Sequence, residues 1–399
     1  MENKYAARIE DMEPAAKIVR SLFGSMVNKK IISFGGGAPA NQVLPVDQIR
    51  EITNEVLRVD NRGVEALAYG PINGIADLRE IVAKDLLQPK GVAASSDNIF
   101  IITGGLEAMY LTCQVFIDPG DVILVESPTF VQSVLIFEMF QAKCIPIDMD
   151  DDGVDVVDLE EKIKKYNPKM VYIIPTFQNP TGRTLSLERR KKIAELANQY
   201  DTLVLEDDPY RDIRFSGEDL PPIKAFDKNE NIILACSFSK IFSPGVRLGY
   251  LYANDDVIKK VWNIQLATTS HTAIFPQVIC AEFFKRGYYP EHHKKICDLY
   301  RERKNAMVDS IKEFFPEGTK YTNPDGGLFC WVEVPGDFDT EALEQQALED
   351  PEIGVAYVPG EKFFVSKELA KKNCMRLSYG NVEVADIRVG IERLAKLFT

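Results

Sequence analysis

The sequence predicts an α/β protein: a mostly parallel sheet with helices on both faces, accompanied by a smaller α/β unit. Three observations carry this expectation. From residue 98 to about residue 252, short apolar runs alternate with amphipathic helical patterns, as parallel strands with crossover helices require. After about residue 293 the rhythm changes to a long charged helical stretch followed by strand, helix, strand and helix. A chain of 399 residues is also long enough for one large core and a second smaller one.

Taken in order, residues 8 to about 27 read as a helix that ends before the glycine-rich loop Gly35-Gly36-Gly37-Ala38-Pro39. Strands are expected at 99–102, 122–125, 142–147, 171–175, 202–206, 232–237 and 249–253, with helices between several of them, for instance 106–117 and 187–199. In such sheets ligands bind in the loops beyond the carboxyl ends of the strands. A charged helix over about 291–315 then leads to an apolar strand within 326–334. The expected division is 1–50 as an N-terminal helix and loop contributing to the small domain and substrate pocket. Residues 51–290 form the large domain and 291–399 the C-terminal small domain.

Composition excludes several classes of function. A net charge of -13 argues against nucleic acid, whose phosphates need clustered Lys and Arg. Three histidines argue against a multi-histidine metal site, so no metal is expected. Seven scattered cysteines without a C-x-x-C pair read as reduced thiols of a cytoplasmic protein. No apolar stretch approaches the length of a membrane span or a signal-peptide core.

The most specific segment is Ser237-Phe238-Ser239-Lys240, followed by Ser243-Pro244-Gly245-Val246-Arg247. A lysine is usually a solvated surface residue. Here two hydroxyls precede it and an arginine follows seven residues later, which together make a plausible anion clamp. An amine beside a phosphate site is what a lysine carrying pyridoxal 5′-phosphate (PLP) needs. Upstream, Thr103-Gly104-Gly105-Leu106 passes from strand into helix, where free N–H groups can bind an anion; alone it is a weak signal. Asn179-Pro180-Thr181-Gly182 is ordinary turn chemistry on its own. The acidic pair Asp207-Asp208 ends a strand and precedes Tyr210, where a capping carboxylate is the bland alternative.

Taken together and in this order, these motifs resemble those of the fold-type I PLP-dependent aminotransferases of class I/II. The resemblance covers nearly the whole chain and is most similar to the branch of aminoadipate, kynurenine and broad-specificity aromatic aminotransferases. It implies the aspartate aminotransferase-like PLP-transferase fold and a ping-pong exchange of amino groups between L-amino acids and 2-oxo acids. 2-Aminoadipate, glutamate, aromatic and branched side chains are all compatible with it, and 2-oxoglutarate is a fitting acceptor.

The resemblance also assigns residues. It implies that Lys240 carries the cofactor and shuttles the proton. The D-x-x-Y register selects Asp207 rather than Asp208 for the pyridine nitrogen, with Tyr210 and Asn179 at the ring oxygen. Gly105 and Leu106 would supply phosphate-binding amides beside Ser237, Ser239 and Arg247. Phe130 would stack on the ring, and Tyr69 would reach the phosphate of a neighbouring subunit, implying a homodimer with shared active sites. Arg376 would bind the substrate α-carboxylate, while Arg20 and the Gly37 loop would lie over the substrate side chain. A PLP lyase of the same fold is the alternative, followed by a regulator lacking its DNA-binding module, since fold does not fix reaction.

Overall fold

The computed structural model describes residues 5–398 apart from 7, 25–30 and 59. Its main sheet has seven strands: β1 (Ile99–Ile102), β2 (Val122–Glu126), β3 (Lys143–Ile147), β4 (Met170–Ile173), β5 (Leu203–Asp207), β6 (Ile232–Ser237) and β7 (Gly249–Tyr252). They lie in the order β1-β7-β6-β5-β4-β2-β3. Strands β2 to β6 are mutually parallel, and β7 runs antiparallel to both of its neighbours. Six of the seven strands therefore share one direction.

The apolar runs form strands because both faces are covered. In β1, Ile99 and Ile101 enter one hydrophobic cluster while Phe100 and Ile102 enter the one on the opposite face, the period-two alternation of a pleated strand. Burying each such side chain contributes roughly 1.5–3 kcal/mol. Shared direction has a functional consequence. The turns after β1, β2, β4, β5 and β6 all emerge along one edge, and the segment entering the reversed β7 returns to that same edge. Every motif from Gly104 to Arg247 is thereby brought to one place.

A second, antiparallel sheet has the order β8 (Lys320–Tyr321), β9 (Phe329–Glu333), β11 (Cys374–Ser378) and β10 (Val358–Pro359). The long helix Tyr289–Phe314 and the last helix Val384–Ala395 pack through Tyr300, Met307, Ile387 and Ile391 into a common core with β9 and β11. Ile32–Ser33 pairs in parallel with Val355–Ala356, and Phe34 is buried in this same core. An early segment of the chain is thus built into the unit formed by its end.

The N-terminal region departs from the single helix expected over 8–27. It forms Arg8–Asp11 and then Glu13–Gly24, broken at Met12. Pro14, in the first turn of the second piece, lacks the N–H that a continuous helix would need. Residues 25–27 lie outside the described residues. Strand β5 runs one residue further than expected, so that Asp207 is its last residue, paired in register with Ala235.

Candidate active site

Lys240 lies in the turn after β6, partly buried, with its Nζ 2.7 Å from the Gly37 carbonyl, to which it donates. The amine sits 5.7 Å from the centre of the Tyr210 ring. Burial, with repulsion from Arg247 and Arg376, pulls its pKa down to about 8. A neutral amine is therefore well populated near physiological pH, which is what a nucleophilic lysine requires.

Beside it lies an anion cradle. Gly104 has φ +79°, and a Cβ there would lie 2.3 Å from the Arg247 guanidinium, so only glycine admits both the left-handed backbone and the close approach. It caps the helix Gly105–Phe116, whose first N–H groups have no intrahelical acceptor. The Ser237 hydroxyl donates to Ser239 Oγ at 2.9 Å, and Arg247 reaches Ser239 Oγ at 3.5 Å and the Thr103 carbonyl at 3.3 Å. Hydroxyls, guanidinium and a helix N-terminus thus converge, an arrangement suited to phosphate.

Asp207 is buried behind this cradle. Tyr172 donates its hydroxyl to Oδ2 at 2.8 Å, while Oδ1 is buried without a hydrogen-bond partner. A Cβ on Gly105 would come within 4.0 Å of that oxygen, so the missing side chain leaves Oδ1 an approach. Burial, reinforced by Asp208 and opposed by the Tyr172 bond, pushes Asp207 up to about 7. A buried oxygen without a donor is unfavourable by about 1–3 kcal/mol, and a cationic ring N–H would relieve it. The next carboxylate, Asp208, points elsewhere and pairs with Arg211 at 3.5 Å.

Arg376, on β11, is clamped from four sides. Its guanidinium donates to Asn179 Oδ1 at 2.8 Å and to the Gly35 carbonyl at 2.6 Å. It also lies 4.5 Å from the Phe329 ring centre and 4.9 Å from that of Phe363. Burial lowers its pKa to about 10, so it stays charged at neutral pH. A flat cation held between two aromatic rings keeps its fork edge-on for a carboxylate.

Gly37, Leu106, Phe130, Asn179, Tyr210, Ser239, Lys240, Arg247 and Arg376 all line one cavity of about 370 Å³. Gly105, Ser237 and Asp207 form a layer just behind it, the Gly105 Cβ position being 3.7 Å from Ser237 and 4.0 Å from Asp207. Two residues of the expected site do not line this cavity: Tyr69, which is expected at a neighbouring subunit's phosphate, and Arg20. Tyr69 is 93% exposed, its ring edge-on to His271. Arg20, expected over the pocket, points into solvent and pairs with Glu13. Arg20 lies one helical step, 100°, from Val19, and it is Val19 that the cavity and the neighbouring Phe363 cluster bury. Sequence reasoning missed Tyr172, Phe329 and Phe363, because an aromatic residue in an apolar strand or loop carries no signal separating a site wall from core.

Pyridoxal 5′-phosphate calls for an anion cradle, a buried carboxylate with a free oxygen and a desolvated lysine within one cavity. On this α/β framework that combination defines a PLP-dependent transferase. More narrowly, the chain belongs to the aminotransferase class I and II family, whose profile matches residues 29–394. It is 39% identical to aromatic-amino-acid aminotransferase 1 of Thermococcus litoralis over 96% of this chain and 91% of that protein. The crystal structure of Pyrococcus horikoshii kynurenine aminotransferase, in complex with PMP, matches at 38% identity with a TM-score of 0.89, covering 95% of this chain and 93% of that one. The α-aminoadipate aminotransferase of Thermus thermophilus, complexed with N-(5′-phosphopyridoxyl)-L-leucine, matches at 30% identity and the same TM-score of 0.89, covering 100% and 97%. The protein is a PLP-dependent transaminase acting on amino acids and 2-oxo acids.

Proposed function

We propose that the protein exchanges amino groups between L-amino acids with aromatic, aliphatic or acidic side chains and a 2-oxo acid such as 2-oxoglutarate. The observation that carries this reading is the desolvated Lys240 amine sharing a cavity with Arg376. Bound PLP supplies an aldehyde for covalent capture of amines and a protonated pyridine ring that draws electrons from the substrate Cα.

The chain's own residues do the rest. Ser237, Ser239, Arg247 and the amides of Gly105 and Leu106 hold the phosphate. Phe130 stacks on the ring, and Asp207 Oδ1 accepts the pyridine N–H. Tyr210, whose pKa burial raises, stays protonated and donates to the ring oxygen together with the Asn179 amide. Arg376 binds the substrate α-carboxylate and so orients the Cα–H bond. Lys240 Nζ, once freed by the incoming amine, would take the proton from the substrate Cα and deliver it to the cofactor carbon that bore the aldehyde. Mixing holoenzyme with a panel of amino acids tests the reading: the visible absorbance of PLP should give way to that of the aminated cofactor, with one 2-oxo acid released per site. Ammonia and pyruvate as products would assign a lyase instead.

The cavity walls next to these groups include Val19, Pro39, Leu106 and Phe363, which favours apolar and aromatic side chains. Acidic substrates need a further cation. Arg20 is one helical step from Val19, and its exposed pair with Glu13 is worth only about 0–1 kcal/mol, so turning it inward is cheap. Arg20→Ala is expected to raise KM for glutamate or 2-aminoadipate about 3- to 10-fold while sparing phenylalanine. An unchanged glutamate-to-phenylalanine ratio of kcat/KM would remove Arg20 from specificity.

A homodimer with shared sites is part of the proposal, supported by the exposure of Tyr69 together with Leu67 and Leu266. Light scattering at assay concentrations should give twice the monomer mass. Tyr69→Phe should weaken PLP binding by on the order of 10-fold, as loss of one charge-assisted hydrogen bond does; a fully active monomer would overturn the shared site. We also propose the division 1–50, 51–290 and 291–399, supported by the pairing of Ile32–Ser33 with Val355–Ala356. A cytoplasmic location is supported by seven free cysteines. Among the described residues no helix is long and apolar enough to cross a membrane.

A further inference from the structure

Two turns each supply a residue to the cavity: 127–130, which ends at Phe130, and 178–182, which contains Asn179. Behind both lies a buried hydrogen-bond cluster that the division of labour above does not use. Gln178, 1% exposed, and Glu126, 2% exposed, belong to it, and neither lines the cavity. We propose that Gln178 and Glu126 are positioning residues that lock these two turns together and so set the placement of Phe130 and Asn179. The proposal rests on the reading that those two side chains face the cofactor.

The geometry leaves the Gln178 amide no freedom. Its Nε2 donates to the Pro128 carbonyl at 2.8 Å and to Glu126 Oε2 at 3.2 Å. Its Oε1 accepts from the Thr181 N–H at 2.9 Å and from the Thr181 hydroxyl at 2.7 Å. A carbonyl can only accept and an N–H can only donate, so the orientation of the amide is unambiguous. Both hydrogens and both acceptor positions are in use. Rotation would strand buried polar atoms, which makes the side chain a rigid strut.

Each end of the strut is anchored. Glu126 is the last residue of β2, and its Oε2 also accepts from the Ile174 N–H, just past β4, at 3.0 Å. The turn on the other side closes on the Gln178 backbone, whose N–H donates to the Arg183 carbonyl at 2.8 Å and whose carbonyl accepts from Gly182 at 2.6 Å. Asn179, next along this turn, holds Arg376 through the 2.8 Å bond already described. Gln178 thereby connects the ring-stacking turn to the turn that steadies the carboxylate-binding arginine. Burial, with repulsion from Asp207 and opposition from the two hydrogen bonds, pushes Glu126 up to about 8. It therefore serves as a largely neutral acceptor and adds little negative charge beside Asp207.

The test compares Gln178→Met, which keeps the length but none of the hydrogen bonds, with Glu126→Gln, which keeps an acceptor at the Oε2 position. Each apoenzyme is titrated with PLP, and the visible circular dichroism of the bound cofactor reports the ring's orientation. Gln178→Met is expected to weaken PLP binding about 10-fold or more, to diminish the visible dichroism and to lower kcat about 10- to 100-fold, with far less change in KM. Its apoenzyme should still fold cooperatively, with a lowered melting temperature because the buried partners of the amide are left unpaired. Glu126→Gln should stay within about threefold of wild type in all three quantities, because the acceptor is preserved. Wild-type affinity, dichroism and kcat in Gln178→Met would overturn the proposal. So would apoenzymes of Gln178→Met and the milder Thr181→Val that both fail to fold, since the cluster would then serve stability alone. Borohydride reduction of wild-type holoenzyme reports on the site separately. Cofactor on a lysine other than Lys240 would sink the site reading, whereas labelled Lys240 with an unaffected Gln178→Met would sink only the strut.

Discussion

Lys240→Ala is expected to lower transamination by on the order of 10,000-fold or more, because one amine performs two tasks. It anchors the cofactor covalently, and it moves a proton at the substrate Cα, where a positioned base contributes roughly 100- to 10,000-fold by itself. No other lysine among the described residues lines the cavity, so no second amine stands ready to replace it. The pKa of about 8 adds a detail that a solvated lysine would not show. A small exogenous amine of similar basicity should restore part of the activity of Lys240→Ala, since it can enter the same cavity and accept the same proton. Peptide mapping after borohydride reduction should find the cofactor on Lys240 in wild type; label elsewhere refutes the assignment.

Asp207→Asn is expected to cut kcat by on the order of 100- to 1,000-fold, as removal of other preorganised electrostatic groups does. Asp208→Asn should affect stability more than turnover. The two residues are adjacent and chemically identical, and both have buried oxygens without a hydrogen-bond donor; they differ in that Asp207 Oδ1 lies behind Gly105 at the cavity, while Asp208 lies 3.5 Å from the buried Arg211 guanidinium. A carboxamide at 207 can still bond Tyr172 but cannot hold a pyridine nitrogen protonated. A second readout uses the apoenzyme. The folded-state pKa of Asp207, about 7, lies above its unfolded value of about 4, so folding strengthens proton binding. The stabilisation from that proton is complete below about pH 4 and is lost as pH rises through 7. The melting temperature of apo Asp207→Asn should therefore depend less steeply on pH between 5 and 8 than that of the wild-type apoenzyme. Equal kcat for the two asparagine variants would overturn the D-x-x-Y register.

Much of the site was legible because strand, turn and helix alternate with a regular period. Each motif, from Thr103-Gly104-Gly105 to Ser237-Phe238-Ser239-Lys240, directly follows a short apolar run that reads as a buried strand. Parallel strands send their following turns to one edge, so naming the strands showed where the site would gather; the resemblance to the family's motifs then picked out Leu106, Phe130, Asn179 and Tyr210 in those turns. Arg376 lies on the separate β11, where no strand-end argument reaches it, and it too came from the resemblance to a family motif. Arg20 shows the limit of such reasoning. A helix with cations on one side does not reveal which side faces the protein until its apolar neighbour, here Val19, has found something to pack against.

The sequence by itself determined the α/β class, the order of the strands along the chain, and which residue types stand at the strand ends, since hydrophobic periodicity and turn chemistry are local. Tertiary structure alone decided the contacts between distant segments. It stacked Phe329 and Phe363 on Arg376, set Tyr172 against Asp207, tied Gln178 to Pro128, and turned Arg20 toward solvent. Each of these depends on the distance and direction between elements far apart in the chain. Side-chain packing fixes those quantities across the whole fold, and no local pattern of residues encodes them.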